Sequence, residues 1–316
     1  MKKLAMLSAI VFALASCALF AQQGPNPSAV ALLRWYSANT VTQFYAGGGA
    51  PIGVAFDGQN MWVVSNSRHS VSKIRASDGA LLGTFQVGSH PCCIAFDGAN
   101  MWITNIMSNT VTKIRCSDGT VMGNYFVSAP IGVVFDGTNI WVSRVGSFLM
   151  KLRTSDGAVL HEVFVQDGGF GGPEGLAFDG KYVWAALSGA NAVAKVSPGD
   201  GTVIGYYPVG PMPEVLAFDG TKIWASNTGG DTVTALNASD GSLFGTFTVG
   251  STPTGLVFDG ANMWVANFGS SSITKLRAKD GALLHTFTFP GQPGYGAFDG
   301  ANVWFAVSSG NTVAKM

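Results

Sequence analysis

Two glutamates, Glu174 and Glu214, are the residues of this sequence best placed to do chemistry. Each follows a proline that begins a repeated unit, so both hold the same place in neighbouring copies. Two carboxylates brought together repel each other unless a cation offsets their charge, and their confinement raises a carboxyl pKa. Their oxygens could hold a hard divalent cation such as Ca²⁺ or Mg²⁺, or exchange a proton with a substrate.

Further candidates are expected on loops at the same face. Arg144 is the only charged residue at its position in the repeats, and the glycine-rich connection 166–172 suits a mobile flap. One interpretation is a ligand-binding mouth in which Glu174 and Glu214 hold a metal. Its residues would be Arg144, Asp167, Phe170, Glu174, Glu214, Asn227 and Asn267. The other interpretation is a salt bridge from Arg144 to the glutamates that only links neighbouring units.

A second group offers softer ligands. His69, His90, Cys92, Cys93 and Met107 are expected on loops or strand starts at this face. Imidazole, thiolate and thioether together suit copper or zinc. Their spacing matches no ligand motif, however, so we expect scattered surface residues and no tight copper site. The adjacent cysteines are either two small buried thiols or a strained bridge between neighbours.

Seven copies of one unit must position these side chains. Phe-Asp-Gly occurs seven times at intervals of about 40 residues, typical of propellers and other repeat architectures. A proline stands five positions before each phenylalanine, and a tryptophan stands six positions after it. The tryptophans are Trp62, Trp102, Trp141, Trp184, Trp224, Trp264 and Trp304.

Each unit contains four short segments that read as strands. In the first unit they are residues 52–56, 61–64, 71–75 and 81–87, which we name strands A to D. Asp-Gly between A and B, and again between C and D, supplies the positive φ of tight turns. We therefore expect these aspartates to form turns and not to bind calcium. The pattern predicts an all-β, seven-bladed β-propeller of four-stranded antiparallel blades.

The last unit ends at its strand C with Met316. Residues 40–45 match a strand D and precede the first unit, so this N-terminal strand is expected to complete the last blade. Ring closure of this kind removes a free strand edge. The propeller is thus predicted to span residues 40–316, after an N-terminal segment at 22–39.

A repeated Lys-x-Arg pattern in strand C is expected to keep strands near the blade edges soluble and unpaired. It occurs at Lys73 and Arg75, Lys113 and Arg115, Lys151 and Arg153, and Lys275 and Arg277.

Residues 102–105, Trp-Ile-Thr-Asn, and 108–114, Ser-Asn-Thr-Val-Thr-Lys-Ile, resemble the YVTN-type propeller repeat of exported bacterial and archaeal proteins. The resemblance covers nearly all of residues 40–316. The repeats are more loosely similar to streptogramin or virginiamycin B lyases and to NHL-type propellers. Those lyases are similar in having seven blades, and the resemblance implies a His and Glu constellation with a divalent metal at one mouth. His161 and His285 fall on strand D, so no catalytic residue is carried over.

The first residues are typical of a secretory signal peptide, predicted over 1–21. Met-Lys-Lys precedes an apolar run at 4–15, which is shorter than the ~20 residues of a membrane span. Cleavage after Ala21 would release a soluble periplasmic or secreted protein. Alternatively, Cys17 in Leu-Ala-Ser-Cys resembles a bacterial lipoprotein box and would carry a lipid anchor.

The charge of the chain narrows its partners. It has 18 Lys and Arg, 18 Asp and Glu and no basic run, which excludes a nucleic-acid partner. The sequence predicts an exported, monomeric binding or interaction module without a transmembrane span. Its ligand at the channel mouth would be a small molecule, a glycan or a protein. The alternative is a metal-dependent lyase or hydrolase that uses the mouth carboxylates, so whether the chain is an enzyme stays open.

Overall fold

Seven four-stranded antiparallel sheets, one for each blade, account for nearly all the regular structure of the described chain. A computed structural model describes residues 41–166, 168 and 172–316, so the predicted signal peptide and the segment 22–39 lie outside it. Within these residues the only helix is a single 3-10 turn, Ser308–Gly310, and no helix is long and apolar enough to cross a membrane. The predicted all-β, seven-bladed propeller is confirmed.

Strands A and B of each blade are joined by the Phe-Asp-Gly turn. The A strands are β2 (Pro51–Phe56), β6 (Pro91–Phe96), β10 (Pro130–Phe135), β14 (Pro173–Phe178), β18 (Pro213–Phe218), β22 (Pro253–Phe258) and β26 (Pro293–Phe298). The B strands are β3 (Asn60–Ser65), β7 (Asn100–Asn105), β11 (Asn139–Arg144), β15 (Val183–Leu187), β19 (Lys222–Asn227), β23 (Asn262–Asn267) and β27 (Val303–Val307).

Strands C and D form the outer half of each blade. The C strands are β4 (Ser70–Arg75), β8 (Thr110–Arg115), β12 (Phe148–Arg153), β16 (Ala192–Val196), β20 (Thr232–Asn237), β24 (Ser272–Arg277) and β28 (Thr312–Lys315). The D strands are β5 (Leu81–Gln86), β9 (Val121–Phe126), β13 (Val159–Phe164), β17 (Val203–Pro208), β21 (Leu243–Thr248), β25 (Leu283–Thr288) and β1 (Thr42–Tyr45).

The aspartate of each Phe-Asp-Gly turn forms the turn, as predicted, and also accepts a hydrogen bond from the tryptophan of its blade, which the sequence did not predict. In the first blade, Asp57 Oδ1 accepts hydrogen bonds from the backbone N–H groups of Gln59 and Asn60, at 2.8 and 2.6 Å. Its Oδ2 accepts a hydrogen bond from the indole N–H of Trp62, at 2.7 Å. The same indole bond is present in all seven blades, at 2.7 or 2.8 Å. One carboxylate thus shapes the turn and satisfies the buried tryptophan.

The tryptophans tie strand D to strand B and one blade to the next. Trp62 is fully buried and its ring stacks on Phe85 of strand D, with centroids 5.5 Å apart. Phe85 in turn lies against Gly119, in the C–D turn of the next blade. Six strand D side chains, five of them aromatic, lie against such a glycine: Phe44 with Gly79, Phe85 with Gly119, Tyr125 with Gly157, Val163 with Gly201, Tyr207 with Gly241 and Phe247 with Gly281.

The expectation for the Lys-x-Arg pattern in strand C is wrong for three of its four lysines, Lys73, Lys113 and Lys151. Lys73 Nζ lies 5.4 Å from the centre of the Trp62 ring and donates a hydrogen bond to the carbonyl of Cys116 in the next blade, at 2.7 Å. Lys113 and Lys151 reach the following blades in the same way, at 2.7 and 2.6 Å. These three lysines link neighbouring blades, because the Trp ring of their own blade and a backbone carbonyl of the next blade both attract a cation.

The arginines of the pattern lie at the surface, and each forms an ion pair with the aspartate of its own C–D turn. The pairs are Arg75 with Asp78, Arg115 with Asp118, Arg153 with Asp156 and Arg277 with Asp280. The arginines of strand C therefore do not form a row of unpaired positive charges.

The N-terminal strand closes the ring, as predicted. β1 pairs with β28 in antiparallel register, with Phe44 opposite Val313. Phe44 stacks on Trp304 with ring centroids 5.4 Å apart, so it takes the same part as Phe85 in the first blade. The A strands contact one another in sequence around the ring, including the first and last, β2 and β26.

The contact between Phe85 and Gly119 of the next C–D turn can be tested with alanine variants of two glycines that both have positive φ. Gly119 has φ +76°, and a Cβ there would come within 1.8 Å of Phe85 Cε1. Gly98 has φ +98° and open space around the corresponding position. Both alanine variants carry backbone strain, but only Gly119→Ala adds overlap, which typically costs about 1–3 kcal/mol. In urea unfolding, Gly119→Ala should be the less stable variant by that amount, and equal stabilities would contradict the contact.

Closure by β1 predicts a difference between two neighbouring aromatic residues. Phe44→Ala removes the half-buried ring stacked on Trp304 and should lower the free energy of unfolding by about 2–3 kcal/mol. Tyr45→Ala is the control, because that side chain is 59% exposed on the same strand. If chemical denaturation gives both variants the same midpoint, Phe44 does not complete the last blade.

Candidate functional site

A β-bulge near the start of each A strand decides which side chains reach the central channel. In the second blade, Pro91 pairs with Asn105 and Ile94 pairs with Ile103, so Cys92 and Cys93 share the place opposite Thr104. Six of the seven A strands skip two residues in this way, and β22 skips one. A bulge re-aims side chains locally, so positions two and three of each A strand are set apart from the rest.

Glycine at position three allows the A strands to pack backbone to backbone. A Cβ on Gly132 would lie 2.3 Å from the carbonyl oxygen of Glu174 in the next blade, and one on Gly175 would lie 2.5 Å from that of Glu214. Three blades have a side chain at this position instead: Cys93, Val215 and Tyr295. All three line a channel cavity of about 160 Å³.

Glu214 and Tyr295 meet across this channel, from the fifth and seventh blades. The Tyr295 hydroxyl donates a hydrogen bond to Glu214 Oε1 at 3.0 Å. Burial raises the pKa of Glu214 to about 7; the hydrogen bond from Tyr295 opposes this shift, and the charge of Glu174 adds to it. The Glu214 carboxyl is therefore able to gain or lose a proton near neutral pH.

The same two residues form part of the wall of a larger cavity, which we call the mouth cavity. Its volume is about 460 Å³, and its lining residues are Ala50, Pro51, Ile52, Asn66, Glu214, Thr252, Thr254, Phe268, Gly294, Tyr295 and Ser308. Apart from Glu214, no lining side chain carries a charge. The mouth cavity belongs to the first, sixth and seventh blades plus Glu214, which is the one predicted ligand-binding residue, among those that the structure describes, in its lining.

The two cysteines belong to the same electrostatic group. Cys92 Sγ and Cys93 Sγ are 3.5 Å apart, and both residues are half-buried. The hydrogen bond with Cys92, burial, and the charges of Glu174 and Glu214 together raise the pKa of the Cys93 thiol. Burial and the nearby Cys93, Cys92 and Glu214 raise the pKa of Tyr295. We call Cys92, Cys93, Glu174, Glu214 and Tyr295 the mouth cluster.

The mouth cluster joins residues that the sequence analysis assigned to separate sectors. The cysteines are predicted from the sequence to lie with His69, His90 and Met107, and Tyr295 is not predicted at all. The only signal for Tyr295 was that glycine is replaced by a bulky residue two positions after the proline, in a blade distant in sequence from Glu214.

Among the described residues, the ion pair of Arg144 is with a different glutamate from the two that the sequence analysis considered. Arg144 is salt-bridged to Glu162 of its own blade, and its guanidinium lies 4.3 Å from the centre of the Phe148 ring. This contact is within one blade, so it does not link neighbouring units. Asp167 and Phe170, the predicted flap residues, lie outside the described residues.

Asn227 and Asn267 are buried and support their own blades. Asn227 Nδ2 donates hydrogen bonds to Thr232 and Thr234, and Asn267 Nδ2 does the same to Ser272 and Thr274, at 2.9–3.1 Å. Both amides are fully buried, and neither lines the mouth cavity. Their role in ligand binding stays a prediction.

The metal sites stay predictions as well. Within residues 41–166, 168 and 172–316, no group of three or more His, Cys, Asp or Glu side chains could hold a metal ion. Calcium or magnesium at Glu174 and Glu214 would thus need a further ligand, for which the sequence analysis proposed Asp167. In the softer group, His69 Nδ1 already accepts a hydrogen bond from the backbone N–H of His90, at 3.1 Å.

The opposite face repeats the same groups, as expected from its conserved turns within the chain. A cavity of about 580 Å³ there is lined by Asp179, Tyr182, Gly220 and Ser239 among others. Another of about 520 Å³ has the equivalent residues Asp57, Asn60, Gly98 and Ser117. These two cavities repeat between blades, so this face offers the same groups in different blades. The blades differ from one another at the mouth.

The raised pKa of Glu214 predicts how stability depends on pH. A carboxyl whose pKa rises on folding binds its proton more tightly in the native state, so stability is lost as the pH rises from about 4.5 to about 7. Glu214→Gln keeps an acceptor for Tyr295 but cannot ionise. Relative to the unaltered protein, it should gain about 3 kcal/mol by pH 8 and nothing near pH 4.5.

Urea unfolding between pH 4.5 and pH 8 measures this difference. Leu243→Ala, which removes an exposed side chain without a titratable group, is the control and should leave the pH dependence unchanged. A Glu214→Gln curve parallel to that of the unaltered protein would contradict the assignment.

No protein-family model and no curated protein sequence matches this chain. Among solved structures, it is similar to a streptogramin B lyase, with 18% identity, a TM-score of 0.75, and 87% of this chain and 96% of that chain covered. It is also similar to a catalytically inactive variant of virginiamycin B lyase from Staphylococcus aureus with quinupristin (18% identity, TM-score 0.76, 87% and 98% covered). A third neighbour is U3-55K (11% identity, TM-score 0.78, 88% and 98% covered). The architecture shared with these proteins is the seven-bladed propeller.

Proposed function

We propose that this protein is an exported binding module that holds a small, largely apolar organic ligand in the mouth cavity. The observation that carries the proposal is the Tyr295–Glu214 hydrogen bond in the wall of a cavity otherwise lined by uncharged groups. Small-molecule sites are typically concave, about 300–1,000 Å³ in volume, mostly apolar, and equipped with a few polar groups that orient the ligand.

The chemistry of the lining indicates the ligand class. Ile52, Phe268 and the ring of Tyr295 would contact an apolar body, whereas Glu214 is the one charged side chain of the cavity. A carboxylate removed from water is stabilised by a cation or a hydrogen-bond donor. We therefore infer a ligand with an apolar body and a protonated amine, with a hydroxyl-bearing ligand as the weaker fit.

Two further considerations support a soluble ligand met outside the cytoplasm. The predicted signal peptide over residues 1–21 favours export, to the periplasm or medium or through a lipid on Cys17 to a membrane surface. One structural neighbour, the virginiamycin B lyase variant, was solved with the organic molecule quinupristin. A glycan or a protein at the mouth would instead need a mostly polar lining or a flat surface, whereas most of the lining surface of this concave cavity is apolar.

A second candidate function is favoured by the pKa of Glu214. A carboxyl with a pKa of about 7 that also accepts a hydrogen bond from a tyrosine suits general acid–base catalysis near neutral pH. The chain would then be a lyase or hydrolase, in its metal-dependent form with Ca²⁺ or Mg²⁺ at Glu174 and Glu214. Metal analysis of protein purified without chelators separates the two, since stoichiometric Ca²⁺ or Mg²⁺ would favour the enzyme.

The binding proposal can be tested with two fluorescent probes that share one apolar body. Dansylcadaverine ends in a protonated amine, whereas N-pentyl dansylamide carries the same five-carbon chain without it. At pH 8 the protein should bind dansylcadaverine about tenfold more tightly than N-pentyl dansylamide, since one partly buried ion pair contributes on the order of 1.4 kcal/mol.

Variants assign the two parts of the site. Glu214→Gln should abolish the preference for the amine, and Phe268→Ala should weaken both probes. Phe164→Ala is the control, because that ring is 59% exposed on the outer strand β13. If Phe268→Ala and Phe164→Ala have equal effects, or if the amine gives no advantage, the proposal is wrong.

A further inference from the structure

We propose that Cys92 and Cys93 form a reversible disulfide bridge between adjacent residues, in the wall of the channel mouth, by exchange with disulfide compounds in the surroundings. The observation that carries this inference is the distance of 3.5 Å between the two sulfur atoms, at the β-bulge of strand β6. The bridge would be a covalent modification site beside Glu214 and Tyr295.

The β-bulge explains why the two thiols meet. In a regular strand, successive side chains point to opposite faces, so neighbouring cysteines do not approach each other. Here both residues share the place opposite Thr104. The Cys93 backbone N–H donates to Thr104 Oγ1 at 3.1 Å, and that hydroxyl donates to the carbonyl of Ile131 in the next blade at 2.7 Å. The bulge is therefore fixed by the ring and not by the thiols.

The geometry makes such a bridge labile. A trans peptide bond holds adjacent Cα atoms about 3.8 Å apart, whereas disulfides prefer Cα atoms about 4.4–6.8 Å apart. Strained disulfides have more oxidising potentials and are more easily reduced than structural ones. A bridge between Cys92 and Cys93 would therefore open and close with the redox state of the surroundings.

The reaction balances by thiol–disulfide exchange. The Cys92 thiolate attacks an external disulfide such as oxidised glutathione, forms a mixed disulfide and releases one thiol. Cys93 then attacks the Cys92 sulfur and releases the second thiol. The two protein S–H bonds are lost, their protons end on the released thiols, and the external disulfide takes up the two electrons. The raised pKa of Cys93 is consistent with Cys92 acting first.

A bridge between the two cysteines would change the channel wall, because Cys93 is part of that wall. It lines the channel cavity together with Tyr295, and its thiol is close enough to Glu174 and Glu214 for their charges to raise its pKa. Bond formation draws the Cys93 sulfur toward Cys92 and removes two S–H groups from the wall of the mouth cluster. Cys116, the other described cysteine, is buried near the opposite face and has no such neighbour.

The test equilibrates the folded, full-length protein with oxidised glutathione, blocks free thiols with N-ethylmaleimide and analyses the peptide that contains both cysteines by mass spectrometry. We expect that peptide to lose two hydrogens and to take up no maleimide, and reduced glutathione should reverse the change. Cys93→Ser should instead accumulate glutathione on Cys92, since no second thiol can displace it. Cys116→Ser is the control and should behave like the unaltered protein.

Other results would overturn the inference. These are two maleimide-labelled cysteines in the oxidised unaltered protein, a stable glutathione adduct on it, or a bridge between two chains. The readout requires no ligand, so its failure would leave the binding proposal untouched.

Discussion

In every blade, an indole N–H donates a hydrogen bond to the carboxylate of the Asp-Gly turn, and the packing of the ring depends on this bond. An indole buried without an acceptor would cost about 1–3 kcal/mol, so the large ring could not lie between two sheets without it. Burial alone would raise the pKa of Asp57, but the hydrogen bonds from Trp62 and the turn backbone outweigh it and lower the pKa. The carboxylate therefore stays charged at neutral pH. The charged carboxylate accepts hydrogen bonds from both the turn backbone and the buried indole, so it connects the turn to the interior of the blade.

The frame that results leaves few positions free for function. Tryptophan, strand D aromatic and C–D glycine are committed to contacts between blades, and several strand C lysines are committed to carbonyls of the next blade. Positions two and three of the A strands are different, because the bulge removes them from the ladder. Most blades fill position three with glycine, which allows close approach of backbones. A side chain placed there has nowhere to go except the channel, which is why Cys93 and Tyr295 come so near to Glu214.

This division explains how much could be predicted from the sequence. The seven Phe-Asp-Gly turns and their tryptophans predicted the propeller, and the match of residues 40–45 to a strand D predicted that this segment would complete the last blade. These features repeat, so local spacing is sufficient to recognise them. The mouth cluster does not repeat. Tyr295 and Glu214 are far apart in sequence, and only the curvature of the ring and the register of the bulge bring them together. Lys73 was misinterpreted for a related reason, since its partner, the Cys116 carbonyl, is a backbone atom of another blade.

A comparison of two carboxyl groups shows what the mouth cluster lacks. Asp57 is partly buried, yet two backbone N–H groups, an amide and an indole donate to it, and its pKa falls. The described donor to Glu214 is the Tyr295 hydroxyl alone, and the pKa of Glu214 rises to about 7. Burial raises both pKa values but is deeper at Glu214, where the charge of Glu174 adds to it, so Glu214 combines the larger cost of burial with fewer donors. The turn carboxylates are fully satisfied and serve the fold. Glu214 retains an acceptor that a donor or a cation from outside the protein would stabilise, and by binding there such a group would lower the pKa of Glu214.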